Sequence, residues 1–136
     1  YYPKLHLTEK IFKPIVSKQP FMILAAPGNL AYLKSYGFKT FDSVIDESYD
    51  TIEDNDLRSQ AVVDQLQWYC NLSPGEKQDI IRALEPIIQY NFDHFYGDFR
   101  HIIANELLTN CQTLFKDIGY DDSHINYATI NNILSK

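Results

Sequence analysis

The chain has 136 residues, of which 45% are hydrophobic, 14% aromatic and 22% charged. That is enough for one domain that buries about two thirds of its unfolded surface, and too apolar for wholesale disorder. The net charge of −6 is unevenly spread: residues 1–41 carry six lysines against Glu9 alone, whereas residues 42–136 carry seventeen acidic and six basic groups. This distribution argues against wrapping nucleic acid, which requires a broad positive face, and leaves one basic segment suited to a small anionic ligand.

In chain order, Tyr1 to Leu7 reads as extended, and Thr8 reads as the N-cap of a helix that begins at Glu9. Ile11 with Ile15 and Phe12 with Val16 form its apolar side, and Lys10, Lys13 and Ser17 share the opposite face. Pro14 is too deep for the first turn, so it kinks or loosens the helix near Lys10, and Pro20 closes the segment. Phe21-Met22-Ile23-Leu24-Ala25 is a continuous apolar run bounded by prolines and predicts a strand buried on both faces. Asn29 then caps a helix from Leu30 to Tyr36 ending at Gly37, and Phe38 to Phe41 reads as a second, parallel strand.

Asp42, Asp46, Glu47, Asp50, Glu53, Asp54 and Asp56 predict a solvated connector, since calcium-loop spacing is missing. A helix over Leu57–Asn71 follows. Ser73-Pro74-Gly75-Glu76 is a capping box for a long helix with Ile80, Ile81, Leu84, Ile87, Ile88, Phe92 and Phe95 on its core side, bent at Pro86 and ending at Gly97. Asp98 caps the next helix, which is expected to bury Ile102, Ile103, Leu107, Leu108, Cys111, Leu114 and Phe115. A last helix spans about His124 to Leu134. The expected fold is therefore mainly helical α/β: a small parallel sheet of two or three strands in a partial Rossmann-like β-α-β unit (1–41), an acidic connector (42–56) and a helical tail (57–136), all in one domain. Cys70 and Cys111 read as buried thiols, and neither they nor the four scattered histidines stand at metal spacing, so no metal is expected. The longest apolar run falls far short of a membrane span, which together with the lack of a leader predicts a cytoplasmic protein.

The run from His6 through Thr8-Glu9-Lys10 to Pro20-Phe21, followed by the strand and Pro27-Gly28-Asn29-Leu30, resembles the carboxy-terminal half of GT-B glycosyltransferases. It is most similar to fucosyltransferase-like sequences and to glycosyltransferases of phages and marine bacteria. Tyr36 to Phe41 and Asp46 to Asp50 resemble the phage-type group as well. The resemblance covers roughly residues 5–50 and is only generic over the helical tail. It implies a donor-binding part of a larger enzyme, with a nucleotide sugar as substrate and the catalytic base supplied by another half. By that resemblance Glu9 holds the ribose, Lys10 the diphosphate, Thr8 caps the helix or adds a hydroxyl, and Lys13 is an auxiliary cation.

Physical chemistry supplies the same roles: a carboxylate accepts from ribose hydroxyls, and a lysine with a helix N-terminus neutralises phosphate. The plainer alternative is that Glu9 complements the helix dipole and pairs with Lys13 four residues on. Gly28 and Asn29 similarly form either a backbone anion nest at a strand end or a simple capped turn. A two- or three-stranded sheet leaves unpaired edges, so the second functional class is a non-catalytic interaction module forming a homo-oligomer through the sheet edge.

Overall fold

The computed structural model describes residue 5 and residues 7–119 and 126–134. Among these residues are six α-helices, α1 (Glu9–Val16), α2 (Asn29–Ser35), α3 (Asn55–Asn71), α4 (Pro74–Tyr96), α5 (Asp98–Asp117) and α6 (Tyr127–Leu134), with a 3-10 turn at Ser48–Thr51. The chain divides into two compact units, Tyr1–Asp93 and His94–Lys136. The expectations for Tyr1 to Lys4, His6 and His124 lie outside the described residues.

α1 begins where expected. Thr8 is extended and its hydroxyl accepts from the Lys10 N–H at 3.4 Å. Pro14 sits inside the helix without ending it, Ile15 is buried, and Phe12 meets Phe38 with ring centroids 6.1 Å apart. Beyond α1, Lys18 takes φ 52, the left-handed region that few residues other than glycine enter. Its ammonium lies 4.2 Å from the Phe92 ring centroid and donates to Gln89 Oε1 at 2.9 Å, fastening the turn after α1 to α4.

The predicted parallel sheet is not there: among the described residues no strand forms. Residues 21–24 do run without a turn or bend, and Met22 and Ile23 pack on the cluster of Leu30, Tyr49 and Val62. Phe38, Thr40 and Phe41 are buried as a strand would bury them. The ladder is replaced by side chains. Lys39 N–H donates to Asn91 Oδ1 at 2.8 Å, and Asn91 Nδ2 donates back to the Lys39 carbonyl at 2.8 Å. Phe41 N–H donates to Glu47 Oε1 at 2.7 Å. Apolar patterning reports burial of a segment, whereas pairing depends on which acceptors lie beside it. With the sheet goes the sheet edge through which copies were expected to pair.

The acidic connector is likewise corrected. Tyr49 and Asp50 are buried at 2% and 8% exposure, inside the core of the first unit. The 3-10 turn packs on α2 and α3, and α3 starts at Asn55, two residues before the expected position. Asp54 caps it, accepting from the N–H groups of Asp56 and Leu57 at 2.9 Å each. Arg58 is buried and donates to the carbonyls of Ile52 and Glu53 and to Asn55 Oδ1, closing the loop onto the helix.

α4 opens on the expected capping box, with Ser73 N–H donating to Glu76 Oε2 at 2.8 Å and Glu76 N–H donating to Ser73 Oγ at 3.3 Å. It runs through Pro86 unbroken. Leu84 is buried as expected, whereas Ile81 is 41% exposed. In the second unit Phe95 stacks on Phe99 at 5.8 Å, and α5 packs along α6 with Ala104 and Ile130 buried. Ile102, Leu107 and Leu114, expected in the core, are exposed, because α6 covers only one side of α5. Cys70 is exposed and Cys111 half-buried, so neither is the buried thiol expected.

Asn91 is 1% exposed and bonds both backbone polar groups of Lys39. Asn91→Ala leaves the Lys39 N–H and carbonyl without these partners and is expected to cost about 2–4 kcal/mol. A urea midpoint that falls at unchanged slope measures it.

Candidate functional site

Two helix starts were expected to form the site, and the structure treats them differently. At α1, Glu9, Lys10 and Lys13 are all exposed. None has an ion pair or side-chain hydrogen bond with a described residue, so the Glu9–Lys13 pair expected from helical spacing does not form. The helix leaves a carboxylate and an ammonium side by side in solvent at its positive end.

At α2 the N-terminus is already occupied. Gly28, not Asn29, is the N-cap and takes φ 82, which only glycine adopts without strain. Asn29 is the first helical residue; it is buried and its amide donates to the Ala26 carbonyl at 2.7 Å, holding the turn in shape. The ligand of this helix start is the chain's own Asp50. Its carboxylate accepts from the Leu30 N–H at 3.1 Å and from the Ala31 N–H at 3.4 Å, and its carbonyl accepts from the Gly28 N–H at 2.8 Å. A phosphate at this turn would have to displace a buried carboxylate, so the anion nest is filled from within.

A methyl group placed on Gly28 would stand 3.7 Å from Leu5 Cδ2, so Leu5 lies against the Gly28 turn.

Beside α2 is an open depression of about 390 Å³ whose lining includes Lys34, Asp42, Asp46, Glu47 and Asp50. Lys34 pairs with Asp42 at 2.8 Å, and this bond raises its pKa; Glu47 stands 4.0 Å from the same ammonium. Desolvation pushes the Glu47 carboxyl up, against the pull of Phe41 N–H and Lys34. The Thr40 hydroxyl pulls the same way electrostatically, yet its geometry falls short of a hydrogen bond and the buried oxygen has no other partner. Burial drives the Tyr49 phenol up to about 12. One lysine against four carboxylates repels phosphate, so this depression is no donor site. Among the described residues no group of three or more His, Cys, Asp and Glu is placed to hold a metal ion, and no helix is long and apolar enough to cross a membrane.

Compared with protein-family models, curated proteins and solved structures, the chain matches none of them.

Asp50, Glu47 and Asn91 organise this region; the sequence reading placed Glu47 and Asp50 in a solvated connector and passed over Asn91. The signal available for Asp50 was local: Tyr49, a large aromatic amid acidic residues, marks a stretch that turns inward. Asp50→Ala should destabilise the protein by about 2–3 kcal/mol, as expected for losing a charge-assisted helix cap. Asp50→Asn, which keeps an acceptor for Leu30, should lose less than half of that; thermal unfolding of both variants measures the difference.

Proposed function

We propose that this chain provides the donor-binding side of a glycosyltransferase of the GT-B kind, taking the nucleoside diphosphate of a nucleotide sugar at the start of α1. The observation that carries this reading is the Thr8-capped helix start, which leaves Glu9 and Lys10 adjacent, exposed and unpaired with other described side chains. It joins the resemblance of residues 5–50, in which the same three positions carry the donor. The Glu9 carboxylate accepts from the two ribose hydroxyls. The Lys10 ammonium and the positive end of the helix meet the diphosphate, and Lys13, one turn on, adds charge without a defined contact.

Gly28 and Asn29 have a different part from the one the sequence suggested. Asp50 satisfies the α2 start, so Gly28 shapes the turn against which Leu5 rests, and Asn29 holds that turn through the Ala26 carbonyl. Phosphate recognition therefore rests on α1 alone, which sets a modest affinity. No residue of this chain is assigned as catalytic base.

Titration of UDP and GDP into the protein by calorimetry tests the reading. Saturable binding in the millimolar range or tighter is expected, weakened about tenfold or more by Lys10→Ala. Glu9→Gln should reduce the preference for ribonucleoside over 2′-deoxyribonucleoside diphosphates. Absence of saturable binding to the unsubstituted protein at about 5 mM ligand would remove the proposal.

A further inference from the structure

The second unit carries an apolar helix face that α6 leaves open. α5 is a 20-residue helix, about 30 Å long. Along one side of it, flanking the buried Ala104, positions 100, 103, 107, 110, 114 and 117 repeat at alternating three- and four-residue steps, the spacing of a two-helix seam. They are Arg100, Ile103, Leu107, Asn110, Leu114 and Asp117. Ile103 is half-buried and the other five are exposed, with Leu107 at 40% and Leu114 at 57%. Two charges thus close the ends of an apolar seam that has a single amide at its middle. Neither Arg100 nor Asp117 forms an ion pair with a described residue.

We infer that two copies of this chain pair antiparallel through α5, with Arg100 of each copy against Asp117 of the other. The charge pattern selects both the partner and the direction. About a two-fold axis perpendicular to the helix, the seam residues meet in layers: Arg100 with Asp117, Ile103 with Leu114, Leu107 with Asn110, and the same layers in reverse. Two opposite-charge pairs then close the seam around two Ile103–Leu114 layers and two Leu107–Asn110 layers. A parallel pairing in register would put Arg100 on Arg100 and Asp117 on Asp117, repelling at both ends. The contact is isologous and therefore closes at a dimer. It uses none of the residues assigned to the donor, so it stands or falls independently of that reading.

Sedimentation equilibrium of the full chain and of three variants tests it. The unsubstituted chain should dimerise reversibly. Arg100→Asp alone and Asp117→Arg alone should each weaken the dimer about tenfold or more, since each creates two like-charge contacts. The double swap, Arg100→Asp with Asp117→Arg, should return the dissociation constant to within about threefold of the original. Leu114→Lys should give a monomer of unchanged helical circular dichroism, separating loss of the seam from loss of the fold. A chain that stays monomeric at about 1 mM, a dimer indifferent to both single reversals, or a double swap no better than either single one overturns the proposal.

Discussion

A peptide segment taken out of water must find partners for its N–H and carbonyl groups, and in this protein side chains provide them where a sheet would have done so. Asn91 reaches from α4 to both polar groups of Lys39, Glu47 takes the N–H of Phe41, and Asp50 takes two N–H groups at the start of α2. The segments between the helices of the first unit are thereby fixed without a ladder. These links fasten α4 to Lys39, the residue before the 3-10 turn to Phe41, and the turn itself to the start of α2. The apolar cluster of Leu30, Tyr49 and Val62 fills the space these links define.

The same device decides what the helix starts can do. A free helix N-terminus attracts anions, and the two starts in this unit are separated by whether the chain has already answered that attraction. Asp50 answers it at α2 and turns a candidate phosphate site into a structural joint. Nothing among the described residues answers it at α1 beyond the Thr8 cap, and Glu9 and Lys10 remain available. The acidic depression beside α2 is then the electrostatic outer side of that joint: Lys34 is held by Asp42 and faces Glu47, and the surrounding carboxylates keep phosphate from it.

Where the information was local, the sequence was readable. Thr8 before Glu9, and Ser73 with Glu76, are reciprocal signals within one turn, and both helices begin there. α2 and the burial of Phe38 and Phe41 were legible for the same reason. What could not be read was the partner across sequence distance. The Phe21–Ala25 run has the composition of a buried strand, and Met22 and Ile23 do pack on Leu30, Tyr49 and Val62, yet what lies beside it is set by residues such as Tyr49, far along the chain. Counting carboxylates between Asp42 and Asp56 suggested solvent, because composition averages over a stretch in which Tyr49 and Asp50 turn inward while Asp46 and Glu53 turn out. On α5 the apolar positions were recognised but assigned to the core, since periodicity shows a face and not what lies against it.

The most direct test of this account is native-state hydrogen exchange of the amides that side chains are held to satisfy. If Asn91, Glu47 and Asp50 anchor the first unit, the N–H groups of Lys39, Phe41 and Leu30 should exchange only through its cooperative unfolding, with protection comparable to the middle of α3. Exchange of Lys39 and Phe41 at the rate of an unstructured loop, while α3 remains protected, would contradict it.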